Sequence, residues 1–199
     1  MKTIKFILAV VIACLLLSSV SEAQMKMKRK KVAYPQFSLS PVAGIAFPIG
    51  DFGGFYKAGP SFGLDISYRV NREVGFYAKV GYSIFSNKEG SVPLVTLSDT
   101  KILEATVGPR YFFTSKNLKS ALFLEAGGGI YSIKQQLTTA PAVLEQSVTK
   151  FGVNAGIGGI LNLSRPIDLI FKVKFHNILT EGGSTSFIVP QLGLDFRFN

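Results

Sequence analysis

The sequence has no tryptophan, one histidine and one cysteine, and only 17% of its residues are charged. A lone cysteine excludes an internal disulfide. One histidine with no partner cysteine leaves no set of ligands for a zinc-type metal site, so no cofactor is expected. Few charges argue against an ordinary soluble surface, which is dense in Lys and Glu. Long apolar runs are also missing: none reaches the roughly 20 residues that a membrane helix needs.

The longest apolar run is Phe6 to Leu17, 12 residues near the N-terminus. Lys2 and Lys5 precede it, and Ser21-Glu22-Ala23 follows as a small-x-small cleavage site. This order predicts a secretory signal peptide over residues 1–23, with the mature chain beginning at Gln24. Val11-Ile12-Ala13-Cys14 resembles a lipobox, but Leu15, Leu16 and Leu17 carry the apolar run past the cysteine, which argues against lipidation. Residues 24–36 form a basic segment holding Lys26, Lys28, Arg29, Lys30 and Lys31, part of a formal charge of +10. Nucleic acid is not an expected partner of an exported chain. A solvated tail is the plain reading, and contact with anionic lipid or an envelope polymer the sharper one.

From Phe37 onward the sequence alternates with period two. In one segment Phe62, Leu64, Ile66, Tyr68 and Val70 alternate with Ser61, Gly63, Asp65, Ser67 and Arg69. Such a pattern gives a strand one apolar face. Eight segments follow: Phe37–Ile49, Ser61–Val70, Val74–Phe85, Lys101–Phe113, Ser120–Ile133, Val148–Leu163, Ile167–Ile178 and Ser186–Phe198. Each meets the length of about 9–11 residues that a tilted membrane strand needs. Short connections (Asn71 to Glu73, Thr114 to Lys119, Ser164 to Pro166) alternate with mostly longer ones (Gly50 to Gly59, Ser86 to Thr100, Lys134 to Ser147, Leu179 to Thr185). No helical period is legible after the signal. The fold class is therefore all-β: an eight-stranded antiparallel up-and-down transmembrane β-barrel over residues 37–199, with an even strand number placing both termini in the periplasm.

The less apolar face is mostly Gly, Ser, Thr and Asn with isolated charges, which suits a lumen better than a solvated exterior. Phe47, Tyr82, Phe85, Tyr111, Phe113, Phe196 and Phe198 gather near strand ends, as interfacial girdles do. Pro41-Val42-Ala43-Gly44-Ile45, the run Phe62 to Tyr68, and the ending Gly193-Leu194-Asp195-Phe196-Arg197-Phe198 resemble the small outer-membrane barrels of OmpA/OmpX size, and among them the porin-family or PorT-like barrels of Bacteroidetes-type envelopes. The resemblance implies an outer-membrane location, contact with outer-membrane lipids and the barrel-insertion machinery, and a monomer. Insertion signals of such barrels end on an aromatic residue; here Asn199 follows Phe198.

By parity the lumen receives a charge network of Asp65, Arg69, Lys79, Glu104, Arg110, Glu125, Lys172, Lys174, Asp195 and Arg197, together with Lys150 and Asp168. An eight-stranded barrel is only wide enough for side chains to fill it, so these charges are expected to cross the interior and pair. The turn centred on Arg72 sets Asp65 opposite Lys79, which predicts an ion pair between them, and the next turn brings Arg110 near Glu125. Glycines at Gly127-Gly128-Gly129 and Gly156-Ile157-Gly158-Gly159 precede no helix and so read as places where the barrel curves. His176 has no adjacent serine, although Ser184 and Ser186 lie beyond the nearby loop. No catalytic residue is therefore assigned. The sequence supports a non-enzymatic envelope protein with a structural or interaction role, with a narrow porin-like channel for small or apolar solutes as the alternative and lipid hydrolysis as a weaker third reading.

Overall fold

The computed structural model describes residues 34–88, 96–97, 99–114, 120–139, 142–164, 166–180 and 183–198. The signal peptide and nearly all of the basic segment lie outside the described residues. The strands are β1 (Gln36–Ile49), β2 (Gly59–Arg69), β3 (Val74–Phe85), a two-residue β4 (Thr96–Leu97), β5 (Thr100–Thr114), β6 (Ser120–Thr139), β7 (Ala142–Asn162), β8 (Ile167–Thr180) and β9 (Gly183–Phe198). Each long strand pairs antiparallel with its sequence neighbour, and β9 returns to β1 with Phe37 opposite Phe198, which closes an eight-stranded barrel. The short β4 only extends the sheet beside the far end of β6, Thr96 facing Thr138. No helix among the described residues is long and apolar enough to cross a membrane.

Alternation sorts the side chains as read from the sequence. Phe62, Val80, Val107, Ile130, Ile157 and Leu192 point outward and are all more than half exposed. Ser61, Asp65, Lys79, Arg110 and Lys174 point inward and are buried. An exterior this apolar is stable only against something other than water. The β2–β3 turn is built by Asn71, whose side-chain oxygen accepts hydrogen bonds from the backbone N–H groups of Glu73 and Val74, each at 2.8 Å. This local bond is what Asn offers a turn, and it fixes the register of the hairpin.

Three expectations are corrected. Lys134 to Ser147 is not a loop: β6 and β7 stay paired through Thr139 opposite Ala142, with Gln135 facing Gln146. The sequence of this stretch carries no clean period-two alternation of apolar and polar residues, so it gives no strand signal, although its backbone pairing continues. Gly50–Phe55 forms a short helix, α1, instead of plain loop. Gly50 enters it at φ +62°, the left-handed region that glycine adopts without steric penalty. Phe85 belongs to no girdle. It lies in the lumen, fully buried, edge-on to Phe52 of α1 and to Phe187 of β9.

At Gly127, β5 and β6 approach so closely that an added Cβ would lie 2.2 Å from the Val107 carbonyl oxygen and 2.4 Å from the Tyr77 hydroxyl. A backbone carbonyl held in the barrel wall cannot step aside. Gly127→Ala is therefore expected to destabilise the folded barrel by about 1–3 kcal/mol, the usual range for overpacking. The urea midpoint of the refolded protein measures it, and an unchanged midpoint would mean that the strands are farther apart.

Candidate functional site

The lumen is layered. At its centre Arg110 (β5) donates from Nε to Glu125 (β6) at 2.8 Å and from a terminal nitrogen to the same oxygen, while that nitrogen lies 3.3 Å from Asp65 (β2). Lys172 (β8) donates to Asp65 across the lumen. Lys174 lies 2.9 Å from Glu125, an ion contact without hydrogen-bond geometry, and Lys172 is 3.9 Å from the same carboxylate. The side chains of these five residues are at most 1% exposed. Aromatic rings hold the cations in place: Arg110 stacks on Phe123 at 4.4 Å, and the Lys174 ammonium lies 4.0 Å from the centre of the Tyr77 ring.

A second group adjoins the first. Lys79 (β3) pairs with Glu104 (β5), which also lies 3.0 Å from His176 Nδ1. The Tyr131 hydroxyl is 3.0 Å from the same nitrogen, and the imidazole stacks flat on Phe187 with centroids 4.7 Å apart. Tyr77 donates to Asn154 at 2.6 Å. His176 is thus fully buried, not a rim residue. Its hydrogen-bonding and ionic contacts among the described residues are Tyr131 and Glu104; Ser186 instead accepts from Asn177 at 2.8 Å.

Apolar layers flank the charges. On the side of the short turns lie Val42, Phe112, Ala121, Phe123 and Ile170. On the other side Ala46, Phe85, Ile102, Tyr131, Ile178, Phe187 and Val189 pack beneath Phe52 and Tyr56, so that α1 and its exit cover that end. Above this layer is a cavity of about 250 Å³ lined by residues that include Tyr56, Gln135, Gln146 and Lys150. These flanking aromatics share the parity of the charged positions: Phe112 follows Arg110 by two residues and Phe123 precedes Glu125 by two. The parity was the signal that would have found them.

The network of charges expected in the lumen therefore divides. Asp65, Lys79, Glu104, Arg110, Glu125, Lys172 and Lys174 come together at mid-height. Of the other five, Arg69, Asp168, Asp195 and Arg197 sit at the mouth near the termini. Arg197 Nε lies 2.9 Å from Asp168 and Ser40 donates to Asp195, while Arg69 lies over the Phe112 ring at 4.0 Å. Lys150 is at the opposite mouth. Asp65 and Lys79 do face each other in the β2–β3 register, but they are not an ion pair. Asp65 turns to Lys172 and Arg110, and Lys79 to Glu104. Arg110 and Glu125 face each other in register and are paired.

No protein-family model and no curated protein matches this sequence. Solved structures do match the fold. The attachment invasion locus protein of Yersinia pestis is 17% identical, with 83% of this chain and all of that one aligned at a TM-score of 0.59. Neisserial surface protein A is 16% identical over 82% of this chain and 97% of that one, at 0.58. The outer membrane protein OprG of Pseudomonas aeruginosa is 15% identical over 83% of this chain and 96% of that one, at 0.54. With its closed ring of eight strands, apolar outside and charged within, the chain has the fold of the small bacterial outer-membrane β-barrels.

Proposed function

We propose that this protein is a non-enzymatic barrel of the bacterial outer membrane whose lumen is closed by its own side chains, and that it serves the envelope through structure and surface contacts. The observation that carries this reading is the central layer of charges sealed between two apolar layers. An aqueous pore would leave those charges in open water, whereas here they are buried and paired with one another. The apolar outer wall supports the membrane location. On this reading a cleaved signal peptide supplies export and both termini face the periplasm, which an even strand count supports, while α1 and the long β6–β7 hairpin face out. One of the similar barrels bears the name attachment invasion locus protein, which supports an interaction role. Ser186 is bonded to Asn177 and not to His176, which lends the hydrolytic reading no support.

Two measurements test the reading. The protein should fractionate with the outer membrane and migrate differently in SDS gels when boiled and unboiled. Reconstituted in planar bilayers, it should give no steady conductance. Recovery as a soluble protein without a mobility shift would overturn the location. A steady conductance that rises in Arg110→Ala would overturn the closed lumen and support the narrow channel.

A further inference from the structure

Charge is unevenly placed along the chain. Residues 24–199 hold twenty Lys and Arg against eleven Asp and Glu. By place in the chain, the long connections and the strand ends beside them set five lysines against five carboxylates, and the central layer of the lumen sets four cations against three carboxylates. Everything else lies toward the termini: eleven cations in the basic segment, the short connections and the strand ends beside them, against Glu73, Asp168 and Asp195. Nearly all of the net charge thus belongs to one end of the barrel, and even a terminal carboxylate on Asn199 leaves a surplus of seven cations there.

Arg69 is where that surplus goes unmet. It ends β2 on the inward parity, opposite Gln36. Its guanidinium lies over the Phe112 ring at 4.0 Å and 5.5 Å from the centre of the Tyr34 ring, and it donates to the Arg72 carbonyl. Aromatic faces hold such a group without neutralising it. Among the described residues no carboxylate is within ion-pair distance of Arg69, and its buried Nε has no hydrogen-bond partner. The neighbouring acids are engaged elsewhere: Asp168 accepts from Arg197 and Asn162, and Asp195 from Ser40. Because Arg69 stands inside the ring of strands, the headgroups of surrounding lipid, which lie outside the wall, do not meet it. An anion reaches it from the solvent at the mouth. Tyr34 ties this position to the basic segment: Lys31 is three residues earlier, at most about 11 Å of chain, and Lys26 to Lys31 carry five cations in six residues. A run of Asp and Glu has the same spacing along its backbone. It can place one carboxylate on Arg69 and the next ones along the lysines, a complementarity that steers and orients a partner.

We propose that the mouth beside the termini, with Arg69 in it and the Lys26–Lys31 run next to it, docks an acidic segment of a second protein in the periplasm, an inference that rests on the outer-membrane reading above. The test uses the full barrel with its basic segment, refolded in neutral detergent and titrated with a labelled oligoglutamate peptide, binding being followed by fluorescence anisotropy. Wild type should bind the peptide, and less tightly as salt is raised. Arg69→Gln should bind about tenfold more weakly, as the loss of one charge-assisted hydrogen bond implies. Arg69→Lys keeps the charge but not the planar fork, so it should fall between the two. Replacing Lys26, Lys28, Arg29, Lys30 and Lys31 together by Gln should weaken binding further than Arg69→Gln does. Lys57→Gln with Lys101→Gln, which removes two cations from the other end, should bind like wild type. Equal binding by wild type and Arg69→Gln would overturn the docking site. An equal loss in the Lys57, Lys101 control would also overturn it, by reducing it to general attraction between opposite charges. Phosphatidylglycerol, titrated in the same detergent and counted by native mass spectrometry, separates the other source of anions: a wild type that retains this lipid but not the peptide makes a membrane contact, which would overturn the docking too. Should Arg69→Gln not fold, the substitutions in the basic segment, which precedes the first strand, are read in the same way. The boiled and unboiled mobility of each variant keeps the two readings apart. A wild-type chain without the shift fails the barrel, and a shifted variant with unchanged binding fails only the docking site.

Discussion

Glu125→Ala is expected to destabilise the barrel by about 3–5 kcal/mol, more than any other single change in the lumen. The reason is the balance of charges. The central layer holds three carboxylates, Asp65, Glu104 and Glu125, against four cations, Lys79, Arg110, Lys172 and Lys174, with His176 left aside. Glu125 meets three of those cations, through Arg110, Lys172 and Lys174. Removing it leaves the three buried with Asp65 as the one carboxylate near them among the described residues, and a buried charge without its counter-ion is what makes a broken pair expensive. Arg110→Ala should cost less, although Arg110 is the larger side chain. It leaves three carboxylates with three cations, and Asp65 keeps Lys172 while Glu125 keeps Lys174. Glu125→Gln retains the volume and loses the charge, so it should fall between wild type and the alanine variant. Urea midpoints of the three variants refolded into vesicles give the ranking. A larger loss for Arg110→Ala than for Glu125→Ala would show that packing against Phe123, not charge balance, dominates the layer.

The strand register was legible because two independent signals agree on it. Period two assigns Asp65 and Lys79 to one face, and the Asn71 turn sets them equidistant from its centre. The far half of the β6–β7 hairpin was not legible, since Lys134 to Thr139 lack the apolar alternation that marks a strand against lipid. Nor does a sequence say how a lumen fills. Parity brought Asp65 and Lys172 to the same interior, but they are 107 residues apart, and only closure of the ring through β9 and β1 brings β8 within reach of β2. The aromatic layers went unread for a different reason: Phe85, Phe112 and Phe123 have the chemistry of the outer wall, and their positions alone place them inside.

The distinction between facing and pairing leads to a second large effect. Lys79 has Asp65 opposite it on β2 and Thr106 opposite it on β5. It bypasses both for Glu104, which faces Gly81 in the β3–β5 register. Gly81 makes this possible, because a Cβ there would lie 2.3 Å from a Glu104 carboxylate oxygen. The missing side chain is the space in which Glu104 leans toward Lys79. A double-mutant cycle between Lys79 and Glu104 should therefore give a coupling near the upper end of the range of about 0.5–3 kcal/mol found for residues in contact, and so should a cycle between Asp65 and Lys172. The cycle between Asp65 and Lys79, opposite in register but unpaired, should fall at or below the lower end. Gly81→Ala should reduce the Lys79–Glu104 coupling without touching the Asp65–Lys172 one, because it fills only the first space. Midpoints of urea unfolding for each single and double variant measure all four. If Asp65 and Lys79 proved the most strongly coupled, the side chains would follow the register of the strands, and the division of the central layer into a Glu104 group and a Glu125 group would be wrong.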